Sequence, residues 1–287
     1  MDNQAVENYN CKSCGQQFEG NYCPSCGQKK IVNRLVLKDS VRHLFGVMVN
    51  FERGLWHSSI LMFKNPAKVI NDYINGITKP YIHPFRYLFL WLTIQIFLMF
   101  STGLFDMIQS QMALELQAQQ QDSEFQLAVN QAIRKYMQIF FVLSIPFLAW
   151  GTRLLFRKKR LNFAEHLVVN SFGYGTTLLM STLILPLYFF VGDNLMKIQM
   201  LSLILNIAIH AYIYKRVFEE RIIPTILKSI MAVVFWLIGF CLNMILFFIF
   251  YIIYLIIYNP DLLKSAANKT STAALSPELM SFWSQLI

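Results

Sequence analysis

The feature that most constrains this chain is a series of apolar segments, each about as long as a helix that crosses a bilayer. They fall at residues 85–105, 137–156, 167–191, 195–214 and 229–257. A helix needs about 20 apolar residues to span a hydrocarbon core of about 30 Å. Only 14% of the residues are charged, against roughly 25% in soluble domains. The sequence therefore predicts an all-α membrane protein with a five-helix transmembrane bundle at residues 85–258.

The distribution of Lys and Arg predicts how this bundle is oriented. Of the 25 such residues, eleven lie in 1–86, five in 151–166 and four in 215–228, and the alternate side holds the other five. Because cytoplasmic loops carry an excess of Lys and Arg, we expect a cytoplasmic N-terminus and an extracytoplasmic C-terminus. The net charge of +9 then lies mostly on the inner face and suits anionic lipid headgroups. Apart from charge, nothing favours nucleic acid as a partner.

Four of the five cysteines form two Cys-x-x-Cys-Gly motifs, CKSCG and CPSCG, near the N-terminus. Two such motifs supply four thiolates for a tetrahedral site, and the glycine permits the positive φ that the turn needs. On a reducing, cytosolic face, paired motifs indicate metal more than disulfides. We predict a zinc ribbon at residues 1–32 with Phe18 and Tyr22 as its small core. It would hold one structural zinc ion through four ligands, Cys11, Cys14, Cys23 and Cys26. A redox pair or an iron–sulfur site is the alternative.

Residues 33–84 predict helices that lie in the inner membrane interface. An amphipathic run covers 38–63, and Asn65-Pro66 then indicates the start of a short helix that Gly76 ends. Pro80 and Pro84 favour an extended entry into the first span. We expect residues 38–84 to hold the ribbon close to the membrane instead of acting as a flexible tether. The tail at 259–287 is expected outside the cytoplasm, with a short amphipathic helix that starts at Ser276.

Several polar residues in or beside the predicted spans form a candidate membrane site. They are Gln95, Glu165, His166, Asn170, Asn206, His210 and Asn243. Intramembrane polar groups favour a path for an ion or small solute, but the same groups also make hydrogen bonds between helices. Because most of them are amides, and no acid or base lies deep in a span, packing is the favoured interpretation. The chain contains no recognised catalytic motif.

Three stretches resemble an uncharacterised bacterial family, common in Bacteroidetes, that places a zinc ribbon ahead of a multi-pass membrane domain. They are CKSCGQQFEGNYCPSCGQK, FKNPAKVINDYINGITKPYIHPFRYLFL and NFAEHLVVNSF. The resemblance implies a cytosolic ribbon and a body in the bacterial inner membrane, without an assigned activity. The five-span layout and the motif FGYGTT are also similar to the Yip1-like membrane proteins, which act in membrane trafficking and organisation in eukaryotes.

These observations favour a non-enzymatic membrane scaffold or adaptor that recruits a protein partner through its zinc ribbon and basic inner face. A homo-oligomer is also compatible with the sequence. The alternative is a transporter or pore that uses the polar positions of the bundle, and the third candidate is an enzyme that acts on lipid.

Overall fold

The computed structural model describes residues 9–30, 34–35, 54–108, 124–190 and 195–259. The predicted amphipathic run before Gly54 and the predicted C-terminal helix lie outside these residues. The chain divides into two compact units. The first comprises Met1–Ile108 with Ile145–Trp236, and the second comprises Gln109–Ser144 with Leu237–Ile287.

The described part of the chain is mostly helical. Its α-helices are α1 Gly54–Lys64, α2 Pro66–Ile74, α3 Pro84–Ser101, α4 Glu124–Leu143, α5 Ile145–Leu155, α6 Phe163–Ile184, α7 Leu195–Phe218 and α8 Ile222–Tyr258. Short 3₁₀ helices occur at Arg157–Lys159 and Leu185–Phe189. Two short antiparallel strands, β1 Tyr9–Asn10 and β2 Gln17–Phe18, lie in the cysteine-containing segment.

Four helical segments in the described residues are long and apolar enough to cross a membrane, which indicates a membrane protein. They are Pro84–Ser101, Phe163–Phe189, Lys197–Phe218 and Ile222–Tyr258. The predicted span at 137–156 corresponds instead to a shorter apolar stretch, Ile139–Leu155, which is interrupted at Ser144 between α4 and α5. Pro146 explains the interruption, because its nitrogen cannot donate the next helical hydrogen bond.

Helix α6 lies at the centre of the first unit. In the segment Phe163–Phe189, 72% of the most apolar 18-residue stretch is buried. A Cβ atom at Gly175 would lie 2.5 Å from Cδ1 of Tyr87 on α3, and one at Gly173 would lie 3.4 Å from Nε2 of His210 on α7. The two glycines of FGYGTT therefore let α6 approach two different helices closely. Small residues at such positions are typical of packing between membrane helices.

Helix α2 begins and ends as the sequence predicts. The Asn65 side chain accepts a hydrogen bond from the Lys68 N–H, and Pro66 is the first helical residue. Gly76, after the last turn, has a φ of +90°. The apolar face of α2 packs on the bundle, because Tyr73 is 6% exposed and its ring centroid lies 5.8 Å from that of Phe172 on α6.

The second unit brings α4 together with the C-terminal half of α8. The ring centroids of Phe140 and Phe247 are 5.1 Å apart. The Asn243 side chain donates to the Ser144 hydroxyl over 3.2 Å. Helix α8 has 37 residues, which corresponds to a length of about 56 Å. Only 6% of its most apolar 18-residue stretch is buried.

Candidate metal centre and its attachment to the helices

The four cysteines predicted as metal ligands converge in residues 9–30, which we call the cysteine module. Their Sγ atoms all lie within 4.8 Å of one another. The Cys11–Cys26 and Cys14–Cys23 sulfur pairs are 3.5 and 3.6 Å apart. Four sulfurs at about 2.3 Å from a zinc ion would form a tetrahedron with edges of about 3.8 Å. None of the four is in a disulfide, so the module can bind a metal ion through four thiolates.

The four cysteines lie in two turns of nearly the same sequence, the first knuckle at 11–16 (CKSCGQ) and the second at 23–28 (CPSCGQ). Gly15 and Gly27 have φ values of +78° and +70°, a region that glycine enters at no steric cost. In each knuckle the glycine N–H donates to the carbonyl of the first cysteine at 2.8 Å. That cysteine's N–H donates to the glutamine carbonyl, at 2.9 Å in the first knuckle and 2.8 Å in the second.

The small core of the module differs from the predicted one. Phe18 is buried as expected, but Tyr22 is 61% exposed. Tyr9 takes its place and meets Phe18 edge to face, with ring centroids 5.4 Å apart. The strand register explains the change, because Tyr9 lies directly opposite Phe18, and cross-strand pairs of this kind share one face.

The surroundings of Cys11 and Cys26 shift the pKa values of their thiols in opposite directions. Burial alone raises the pKa of Cys11, but hydrogen bonds from the backbone of Cys14 and Ser13 and from neighbouring thiols lower it to about 6. The backbone N–H of Gln28 lowers the pKa of Cys26, but burial and the other thiols raise it, to about 12. Such opposed shifts arise when one thiolate is stabilised by the thiols around it. A metal ion would replace those protons.

Gln28 attaches the second knuckle to the helical part of the first unit. The residue is 2% exposed, and its Oε1 accepts hydrogen bonds from the backbone N–H groups of Thr78 and Lys79 at 3.1 and 2.9 Å. Its Nε2 donates to the Gly76 carbonyl at 2.9 Å. We call residues 75–79, the turn that follows α2, the dock. One side-chain amide thus satisfies three backbone groups of the dock, which would be costly to bury without partners.

The first knuckle contributes one contact to the dock. The Lys12 ammonium donates to the Asn75 carbonyl over 3.2 Å. The last carbonyls of a helix have no partners within the helix, and a cation at this end also interacts favourably with the helix dipole. Lys12 and Gln28 together cap the C-terminal end of α2. Gln16 occupies the equivalent position to Gln28 in the first knuckle, but it is exposed.

A second attachment follows the module, at Arg34. Its Nε and Nη2 donate to the two carboxylate oxygens of Glu165 over 2.6 and 2.5 Å, and Nη2 also donates to the Arg160 carbonyl over 2.8 Å. The hydrogen bonds and charge of Glu165 raise the pKa of Arg34. Glu165 is 2% exposed and also forms a capping box with Asn162 at the start of α6. This candidate site residue therefore caps a helix and anchors the segment after the module.

His166 and Asn170 belong to a hydrogen-bonded network between α5, α6 and α7. The Asn170 amide donates to the Thr152 hydroxyl at 2.8 Å and to the His166 carbonyl at 2.7 Å. Its oxygen accepts from the Tyr214 hydroxyl at 2.6 Å. His166 Nδ1 lies 3.2 Å from the same Thr152 hydroxyl. Asn170 is thus satisfied by protein groups, as expected of residues that hold membrane helices together.

Within the part of the chain that the structure describes, the other predicted membrane positions do not join this network through hydrogen bonds. His210 Nδ1 donates to the Asn206 carbonyl over 3.0 Å, and the His210 ring centroid lies 5.6 Å from that of Tyr214. The buried Oε1 of Gln95 has no hydrogen-bond partner among the described residues. Asn243 lies in the second unit, where it bonds to Ser144.

Sequence reasoning did not identify Gln28, Arg34, Thr152 or Tyr214. The spacing Asn162-x-x-Glu165 is a readable capping-box signal, and it would have given Glu165 a structural role. The repeat of Gln at the end of both knuckles is visible in the sequence, but it does not reveal which of the two makes a contact.

Comparison with known proteins finds one family model, and it matches only part of the chain. A family model described as "Protein of unknown function (DUF3667)" matches residues 52–96, which contain α1, α2, the dock and most of α3. No curated protein and no solved structure matches the chain. The match is consistent with the resemblance to an uncharacterised family, and the likeness to the Yip1-like proteins stays an expectation.

Proposed function

We propose that this protein is a non-enzymatic membrane adaptor whose cysteine module holds one structural zinc ion and presents a fixed surface to a protein partner. The observation that carries the proposal is the attachment of the module to the dock through Gln28 and Lys12. A module held in this way displays the same surface at the same place on the membrane. Four thiolate ligands would leave a zinc ion no open position, which favours a structural metal over a catalytic one.

The exposed part of the module offers a surface for such a partner. It includes Gln16, Gln17, Glu19 and Tyr22, and Tyr22 is 61% exposed. Tyrosine is enriched in protein interfaces, because its ring supplies apolar area and its hydroxyl a hydrogen bond. We propose Tyr22 as the centre of the recognition surface.

The proposal includes five membrane crossings in a bacterial inner membrane, the second of them at residues 137–156. The N-terminus and the module are proposed to lie in the cytoplasm. Two observations support this: the Lys and Arg bias, and the contact of Arg34 with the Arg160 carbonyl, which joins two segments that the bias assigns to one side. Arg157, Lys158 and Arg160 are exposed there and would contact anionic headgroups.

Fusions at the C-terminus test this topology. Alkaline phosphatase fused there should be active, and green fluorescent protein fused there should be dark. The reverse pattern would mean an even number of crossings and would overturn the proposed orientation.

Copurification from native membranes tests the adaptor role. A partner should be recovered with the wild type and with the control Cys241→Ser, and lost with Cys11→Ser/Cys14→Ser. Tyr22→Ser should lose the partner but keep the zinc, which separates recognition from folding of the module. Equal recovery with all four proteins would contradict the proposal. Solute flux or lipid turnover by the purified protein in liposomes would favour the transporter or the enzyme instead.

A further inference from the structure

Gln28 takes part in both the metal site and the dock. Its backbone N–H hydrogen-bonds to Cys26, and its carbonyl accepts the Cys23 N–H at 2.8 Å. Its side chain fills the dock, where it bonds to backbone groups of Gly76, Thr78 and Lys79. The backbone that orients two ligand cysteines is therefore the same backbone that places the amide in the dock.

The shape of the second knuckle depends on the metal. The buried core of the module consists of Cys11, Phe18 and Cys23, with Tyr9 and Cys26 packed against it, and two of these three buried residues are proposed ligands. A domain of this size does not bury enough apolar surface to fold alone, and the binding free energy of a structural metal supplies the difference. Without metal, the knuckle no longer fixes the position of the Gln28 side chain.

Loss of the Gln28 and Lys12 contacts would act directly on the membrane helices. The carbonyls of Asn75 and Gly76 at the end of α2 would lose their partners, as would two N–H groups of the dock. Helix α2 packs on α6 through Tyr73 and Phe172, and the dock leads into α3, which begins at Pro84. The dock is thus one place at which a change in the module can reach the helices of the first unit.

We propose that the cysteine module is a metal-dependent latch: the bound metal keeps Gln28 in the dock, and loss of the metal releases the module and uncaps α2. This inference rests on the proposed zinc site but gives the metal a controlling role in addition to a structural one. Coupling between two sites is reciprocal. Closure of the latch must therefore strengthen metal binding by the same factor by which metal strengthens closure.

The experiment uses the full chain in lipid nanodiscs and compares Gln28→Ala with the matched control Gln16→Ala. Zinc affinity is measured by competition with a chelator of known affinity. Gln28→Ala should bind zinc about 5- to 150-fold more weakly than the wild type, the usual range of coupling between two sites, and Gln16→Ala should stay within about 2-fold. Gln28→Glu keeps the acceptor for Thr78 and Lys79 but places a buried carboxylate oxygen against the Gly76 carbonyl, so it should also bind zinc more weakly than the wild type.

Hydrogen exchange of the Thr78 and Lys79 amides gives the second readout. Both amides should be protected in the zinc-bound wild type, and chelation should reduce their protection by about the factor measured for the affinities. Equal zinc affinities of the Gln28 and Gln16 variants, or unchanged protection after chelation, would overturn the latch while leaving the zinc site intact. A wild type that binds no zinc would overturn the proposed metal site as well.

Discussion

The two knuckles have nearly the same sequence and the same backbone hydrogen bonds, but their surroundings are opposite. Gln28 of the second knuckle is 2% exposed and hydrogen-bonds to the dock, whereas Gln16 of the first knuckle is exposed. The shared sequence determines the local turn and the positions of the sulfurs. What each glutamine does is determined by the segment that lies against it, which a local motif does not encode. The second knuckle therefore makes most of the contacts with the dock, whereas the first makes one through Lys12 and leaves Gln16 exposed.

The largest expected effect is loss of the metal, and it should be the same for both knuckles. Cys11→Ser/Cys14→Ser and Cys23→Ser/Cys26→Ser each remove two of four thiolates, and a structural zinc site contributes about 10–16 kcal/mol of apparent binding free energy. Elemental analysis of the purified protein should give close to one zinc per chain for the wild type and none for either variant. If one double variant kept its metal, the two knuckles would not form a single site.

The next largest expected effect is a loss of stability when Arg34, which follows the second knuckle in the chain, no longer contacts Glu165. Arg34→Met would leave the Glu165 carboxylate, which is 2% exposed, with only its capping-box partner Asn162 among the described residues. We expect a loss of about 1–2 kcal/mol in the free energy of unfolding, at the low end for charged hydrogen bonds because Arg34 is partly exposed. Denaturant titration in detergent measures this change.

The conservative variant Arg34→Lys provides the control for this attachment. It keeps the charge but cannot reproduce the two parallel hydrogen bonds of the guanidinium, so its stability should fall between those of Arg34→Met and the wild type. If Arg34→Met is as stable as the wild type, the contact with Glu165 does not anchor the module.

The smallest effect tests the only dock contact that the first knuckle makes among the described residues. Lys12→Met removes a cation from the C-terminal end of α2, where such an interaction contributes about 0.3–1 kcal/mol and weakens as salt increases. The apparent melting temperature should fall slightly at low salt and match the wild type at high salt. A loss that does not depend on salt would mean that Lys12 acts through packing and not through its charge.

Local patterns in the sequence predicted the parts of the molecule that depend on local chemistry. Apolar length identified the candidate membrane helices, the paired cysteines identified four thiols that come together and could bind a metal ion, and Asn65, Pro66 and Gly76 gave both ends of α2. These signals work because each depends on residues within one helix or one turn. The four spans of sufficient length confirm the membrane class, and the fifth crossing stays a prediction because Pro146 interrupts it.

Contacts between segments distant in the chain could not be predicted in the same way. Gln28 meets residues about 50 positions away, and Arg34 meets Glu165 across 131 positions. Tyr22 was assigned to the core because it lies between the two cysteine motifs, but the strand register places Tyr9 opposite Phe18 instead. His166 and Asn170 lie on α6, but their partners Thr152 and Tyr214 follow only from the packing of three helices.

The measurement that tests the central claim most directly is the distance between the cysteine module and the helices. Nitroxide labels attached through unnatural amino acids at the exposed positions Glu19 and Lys64 can be examined by pulsed electron paramagnetic resonance in nanodiscs. Zinc-bound wild type and Gln16→Ala should each give one narrow distance distribution, and Gln28→Ala or chelated protein should give a broad one. A broad distribution in the zinc-bound wild type, equal to that of Gln28→Ala, would contradict the account, because the module would then be a tethered domain and not an attached one.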